Sequence, residues 1–257
     1  MSGPDVVPDR LTNPLNRPVI GLIVVIGLVL YFVFNSITDE ELFPIVFGVS
    51  VVLPGTVAFF SFVTAKQYHP GILSKAYLSL GLGFVCYLIA EILYYTLELL
   101  GIEPYPSIAD VFFFALYPLT LGHLVFNIKF FHSKFTTFQK IWLPLIPIIA
   151  VSAYVILSFN IPDAEFSFDF YYGFIFVIAA SVVLSFTVLG ASIFKQGVLG
   201  AVWLLLVIGL MLNTVGDIWY CNLEIFGAYY DAHPVTILWD VSNMFMIYAL
   251  YKHRKTL

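Results

Sequence analysis

Apolar residues occupy this chain in long blocks, without the strict alternation of a half-buried strand or the narrow stripe of a surface helix. A bilayer's hydrocarbon core takes about 20 residues of helix. Eight blocks reach that length, at roughly 18 to 37, 42 to 65, 76 to 100, 108 to 131, 141 to 159, 169 to 194, 200 to 226 and 234 to 251. Charge or turn-forming residues punctuate each gap: Asp39-Glu40-Glu41, His69-Pro70-Gly71, Gly101 to Ser107, His132 to Thr137, Ile161-Pro162-Asp163, Gln196-Gly197 and Gly227 to Pro234. With such short connections, sequential helices are expected to be antiparallel neighbours.

Composition agrees with this pattern. Of 257 residues, 61% are hydrophobic and 11% charged, and the mean hydropathy of +0.97 is that of an all-α integral membrane protein forming one transmembrane domain over residues 1–257. A formal charge of -5 leaves no basic surface for a phosphate backbone, so nucleic acid is not an expected partner. Cys86 and Cys221 both lie in apolar blocks and offer neither a disulfide framework nor a thiolate metal cluster.

The cations fix an orientation. Arg10, Arg17, Lys66, Lys75, Lys129, Lys134, Lys140, Lys195, Lys252, Arg254 and Lys255 all fall on one side of the predicted spans. The opposite loops carry Asp39, Glu40, Glu41, Glu103, Asp163, Glu165 and Asp231 and no cation. The positive-inside rule puts both termini in the cytoplasm, in a multi-pass protein of the cell membrane.

The chain also reads as an internal duplication. In one register Glu91 to Gly101 falls on Asp217 to Gly227 with five of eleven positions identical, and Gly83 falls on Gly209. After a four-residue length difference, Asp110-Val111 matches Asp240-Val241. Residues 1–131 and 132–257 are thus expected to be two four-helix repeats. An even number of spans per repeat makes them parallel, related by an axis along the membrane normal. Spans 1, 2, 5 and 6, almost free of ionisable residues, are expected to face lipid.

Six acids lie within or at the ends of spans: Glu91, Glu98, Asp110, Asp217, Glu224 and Asp240. A carboxylate there is costly unless it is neutral, paired or hydrated. Helical spacing gathers Tyr87, Glu91, Tyr94, Tyr95 and Glu98 on one face of span 3, and Asn213, Asp217, Tyr220, Cys221 and Glu224 on one face of span 7. Span 8 adds Asp240 and Asn243. The expectation is an acidic outer-leaflet pocket between the repeats, with Glu91, Tyr94, Asp110, Asp217, Tyr220, Asp240 and Asn243 as ligand-binding residues. If a metal ion were held, Glu91, Asp217 and Asp240 would hold it. Plainer roles compete: solvated span ends for Glu98 and Glu224, a first-turn helix acid for Asp110, and interhelical hydrogen bonding for Asp217 and Asp240.

His123 is the one histidine well inside a span, with Asn127 four residues on. No mid-span lysine is available for a Schiff base, and nucleotide-binding, hydrolase-elbow and zinc-protease motifs are absent from the sequence, so no cofactor is expected.

Pro106-Ser107-Ile108-Ala109-Asp110-Val111-Phe112-Phe113, followed by Tyr117-Pro118-Leu119, resembles the multi-spanning membrane input regions that precede bacterial GGDEF diguanylate cyclase and histidine kinase modules. Gly216-Asp217 with Tyr220, and Leu238-Trp239-Asp240, extend the likeness. The resemblance implies a sensor-like protein that binds a small or cationic ligand. This sequence has no cyclase, kinase or linker helix, so a separate signalling protein is the implied partner. A second, weaker resemblance, carried by the span 3 acid and Gly122-His123, is to the eight-span lysoplasmalogenase group. It implies intramembrane lipid hydrolysis, with His123 and Asp110 as the catalytic pair. A proton- or cation-coupled transporter built on the repeats is the remaining alternative. The sensor expectation, without enzymatic activity, ranks first.

Overall fold

The computed structural model describes residues 15–131, 135–160, 168–193 and 200–256, with the side chains of 39, 169 and 254–256 excepted. The expectations placed on Arg10, Lys134, Asp163, Glu165, Lys195 and the side chains of Asp39, Arg254 and Lys255 lie outside the described residues. The described structure is all helical: α1 (Arg17–Phe34), α2 (Asp39–Gln67), α3 (Ile72–Leu99), α4 (Ile108–Phe131), α5 (Thr137–Phe159), α6 (Phe168–Ile193), α7 (Gly200–Ile225) and α8 (Pro234–Thr256). Each coincides with one apolar block. Helix satisfies every backbone hydrogen bond within the segment, which makes it the stable state for an uncharged apolar run in lipid.

Among the described residues seven helices, α1 to α7, are long and apolar enough to cross a membrane, and the chain is a multi-pass membrane protein. α8 is the exception: Asp240, Ser242 and Asn243 interrupt its apolar run, and all three are buried. Protein, not lipid, surrounds those groups, since α8 packs against α7, α2 and α1.

Side-chain contacts fix the register of the antiparallel pairs. Ser79 Oγ donates to Leu119 O at 2.6 Å, and His123 Nδ1 donates to Ala76 O at 3.0 Å, which aligns α3 with α4. Ser185 Oγ donates to Leu143 O at 2.6 Å between α6 and α5, and the Asn16 N–H donates to Tyr248 Oη at 2.7 Å between the start of α1 and α8. Glycines set how closely the helices approach. A Cβ on Gly209 would lie 2.5 Å from Met246 Cγ and 3.0 Å from Ser242 O of α8. One on Gly83 would lie 3.2 Å from Leu119 Cβ and 3.4 Å from Leu116 Cδ1 of α4.

The packing partners recur along the chain. α2 meets α3 as α6 meets α7, α3 meets α4 as α7 meets α8, and α2 meets α8 as α4 meets α6. α1 and α5 break the pattern, for α1 leans on α8 while α5 leans on α6. Both keep bare apolar faces, such as Leu22, Val25, Leu28 and Phe32 on α1 and Ile141, Ile148, Ile149 and Ile156 on α5. Of the expected lipid-facing spans 1, 2, 5 and 6, α1 and α5 thus keep bare apolar faces. α2 and α6 depart from the expectation in part: Val57, Ala58, Ser61 and Ala65 of α2, and Phe176, Val177, Ala180 and Val183 of α6, are buried against neighbouring helices. Absence of ionisable groups marks a helix as apolar without saying whether lipid or protein covers it.

Candidate functional site

The C-terminal ends of α3 and α7 are built alike. Gly101 has φ 68° and Gly227 φ 57°, left-handed values that cost a residue with a Cβ about 1–2 kcal/mol. In each, the glycine N–H returns to the carbonyl three residues back (Glu98 or Glu224, at 2.9 and 3.1 Å). The next N–H reaches the carbonyl of Leu97 or Leu223, at 2.9 and 3.1 Å. This Schellman closure stops both helices one turn beyond their last acid and turns the chain back over the same pole.

Around that pole lies a vestibule of ≈ 790 Å³. Glu98, Glu103, Glu224 and Asp231 line it, and the α1–α2 and α7–α8 connections meet there through Asn35 Nδ2, which donates to Ala232 O at 3.1 Å. Below it a smaller cavity of ≈ 80 Å³ runs between α3, α4, α7 and α8. Tyr94, Tyr105 and Tyr229 line both spaces, so a collar of three phenols separates the vestibule from the inner cavity. Burial raises the pKa of Tyr105 and Tyr229 above the ordinary phenol value, so both rings are neutral.

All seven expected ligand-binding residues line the inner cavity: Glu91, Tyr94, Asp110, Asp217, Tyr220, Asp240 and Asn243. Glu91 and Asp217, one from each half, share that void. The remaining two acids of the cluster, Glu98 and Glu224, sit in the vestibule.

The four inner carboxylates are not equivalent. Asp110, 4% exposed, accepts the Ser107 N–H at 2.6 Å, with Tyr172 beside it. It is a first-turn acid closing its own helix, and the P-S-x-A-D sequence supplies that turn. Asp217 Oδ1 accepts the Trp239 indole N–H at 3.0 Å, and the Tyr117 hydroxyl also faces this carboxyl. Gly216 makes that bond geometrically accessible, because a Cβ there would lie 2.6 Å from Trp239 Nε1. Asp240, 3% exposed, has Oδ2 without a partner among the described residues, and one turn along α8 so does Oδ1 of Asn243. Glu91, 8% exposed, has Tyr87 one turn away.

Among the described residues no Lys, Arg or His lines either space. His233, just before α8, receives the Val235 N–H on Nδ1 at 3.2 Å, and burial lowers its pKa, so it stands as a neutral cap rather than a cation. Among the described residues no group of three His, Cys, Asp or Glu side chains could hold a metal ion. Glu91, Asp217 and Asp240, the set expected if a metal ion were held, come one from each of α3, α7 and α8 and do not form such a group.

His123 is placed elsewhere. It lies 13 residues from Asp110 along α4, about 20 Å at the helical rise, and does not line the cavity. With Nδ1 donating to Ala76 O, its Nε2 accepts the Asn127 amide at 3.1 Å, and its ring packs on Tyr77 with centroids 5.3 Å apart. The expected pair His123 and Asp110 is not brought together. Beyond Tyr77 a second buried cluster forms, where His253 Nε2 lies 2.5 Å from Tyr68 Oη and 3.4 Å from Tyr77 Oη.

No protein-family model, curated protein or solved structure matches this chain. What the site can do follows from its own residues.

Periodicity along the chain places Tyr87, Tyr94 and Tyr220 beside the acids but not the rest of the aromatic wall. Tyr105 and Tyr229 sit in loops, where no repeat of apolar positions points inward, and Trp239 stands out in the sequence only as the neighbour of Asp240. Tyr220 joins them, its ring 5.9 Å from Tyr105, 4.9 Å from Tyr229 and 5.6 Å from Trp239. Loop aromatics beside the matched acids were the available signal.

Proposed function

We propose that this chain is a sensor-like protein of the cell membrane that binds a small cationic ligand in the acidic cavity between two parallel four-helix repeats. In this reading α8 is the eighth span, both termini are cytoplasmic, and the vestibule faces the exterior. Matched glycine closures at Gly101 and Gly227, matched close approaches at Gly83 and Gly209, and the recurring helix pairs support the duplication. Arg17, Lys66, Lys75, Lys129, Lys140 and Lys252 at the helix ends opposite the vestibule support the orientation.

One observation carries the binding proposal. Carboxylates from both halves face a single void with no cationic side chain in its lining among the described residues, where buried acceptor atoms of Asp240 and Asn243 also lack donors among those residues. Buried acceptors without partners are costly, and a bound cation removes that cost. A ligand that spans the two halves changes how they pack, which is the event a separate signalling protein would read.

The test is thermal denaturation of the purified protein with divalent cations, polyamines and alkylammonium ions. At least one class raises the wild-type midpoint by several degrees, and the rise is lost in Glu91→Gln/Asp217→Asn. No response to any of them in the wild type overturns the proposal.

Coupled transport is the second reading, favoured by the polar cluster of His123, Asn127, Tyr68, Tyr77 and His253 at the opposite pole. Fully buried Leu80, Phe84, Leu210, Met246 and Leu250 lie between that cluster and the cavity along α3, α7 and α8, which ranks transport behind binding.

A further inference from the structure

The inner cavity and its collar carry more chemical information than a cation preference. Three features of the wall narrow the ligand, and they are independent of one another.

The charge-bearing groups are dispersed. Glu91, Asp217 and Asp240 project from three helices, and no metal-holding set forms among the described residues. A hard divalent ion needs six or more oxygens converging within 2.6 Å or less. Separate walls instead suit a cation of several heavy atoms, whose surface can meet each acid in a different direction.

The walls between the acids are rings. Tyr94, Tyr105 and Tyr229 form the collar, and Tyr117, Tyr220 and Trp239 continue inward. Aromatic faces attract a desolvated organic cation and do little for an ion that keeps its water shell.

The orphaned polar atoms of the cavity wall are acceptors. Asp240 Oδ2 and Asn243 Oδ1 are buried without a donor among the described residues, in side chains 3% and 2% exposed, and Asp217 beside them is met by the Trp239 indole and the Tyr117 hydroxyl. What is missing is N–H. A quaternary ammonium would satisfy the rings and leave these oxygens unmet. A protonated primary amine supplies three donors at one charged point.

We infer that the ligand is a small primary ammonium ion, its charged end among Asp217, Asp240 and Asn243 and its carbon body against the tyrosine collar. This rests on the cation-binding reading of the same cavity and specifies its chemical class. The inner cavity, ≈ 80 Å³, is far smaller than the vestibule of ≈ 790 Å³, so it receives the ammonium end and the carbons nearest it. A larger body extends into the vestibule, where Glu98, Glu103, Glu224 and Asp231 attract cations toward the collar.

Isothermal titration of the purified protein with four probes tests this: n-propylammonium, tetramethylammonium, n-propanol and calcium. The expected result is binding of n-propylammonium, at least tenfold weaker binding of tetramethylammonium, and none of the other two. Asp240→Asn, nearly isosteric, weakens n-propylammonium at least tenfold. Tyr229→Leu weakens it about tenfold, and Tyr229→Phe, which keeps the ring, holds it within about threefold. Circular dichroism and size-exclusion profiles of the variants confirm that each is folded.

Tetramethylammonium or calcium binding as tightly as n-propylammonium overturns the primary-amine inference and leaves the cation pocket standing. Equal binding of n-propanol, or no binding by any of the cations, overturns both.

Discussion

Asp110 of α4 and Asp240 of α8 show how context sets the role of a residue. Asp110 accepts the Ser107 N–H and thereby closes the first turn of α4, whereas Asp240 has a buried oxygen with no donor among the described residues. Their substitutions should have opposite signs. Asp110→Ala removes a cap and is expected to cost about 1 kcal/mol. Asp240→Asn replaces a buried acid that has an unpartnered oxygen with a neutral amide and is expected to raise the midpoint of the ligand-free protein. Reversible unfolding in detergent measures both, and a midpoint that falls in Asp240→Asn contradicts an uncompensated acid. The glycines differ in the same graded way. Gly209→Ala forces a Cβ to within 2.5 Å of Met246 Cγ and 3.0 Å of a backbone carbonyl, while Gly83→Ala meets nothing closer than 3.2 Å. Gly209→Ala is expected to cost about 1–3 kcal/mol, and Gly83→Ala less. The reverse order in the same unfolding assay would mean that α7 and α8 do not cross where the structure has them.

The helices were legible in the sequence because an apolar run of this length has one way to satisfy its backbone in lipid. The ends of α3 and α7 were legible through Gly101 and Gly227, whose positive φ gives glycine its advantage. A Cβ at either position would meet no atom within 4 Å, so Gly101→Ala and Gly227→Ala probe backbone strain alone. Each is expected to cost about 1 kcal/mol, with equal losses in the two halves. Unequal losses would show that the two closures are not energetically equivalent. α8 was equally legible as an element, though not its surroundings. Its polar positions lower its hydropathy below that of the other helices, yet they mark the most enclosed helix in the cavity wall. Conversely α6, as poor in charged residues as α1 and α5, packs inside. Hydropathy reports what a surface tolerates, and only packing determines what covers it.

Across the bundle, the separation of charge between its two poles makes a topological prediction. With Cys86 and Cys221 replaced by alanine, Glu103→Cys is expected to react with a membrane-impermeant maleimide on intact cells. Lys66→Cys is expected to react only after permeabilisation. Labelling in the opposite sense would invert the orientation and turn the vestibule toward the cytoplasm. Local composition and chain length are enough to set the extent of each helix, the pole at which the cations collect, and the acids that recur at matched positions, so these could be read without coordinates. Packing had to supply the rest: that those acids share one cavity, that Asp110 is satisfied by its own turn while Asp240 is not, and that loop tyrosines far apart in the chain close a collar above them. The reason is physical: the cost of a buried carboxylate is set by the donors and rings that distant segments bring to it, and no periodicity along one helix encodes which those will be.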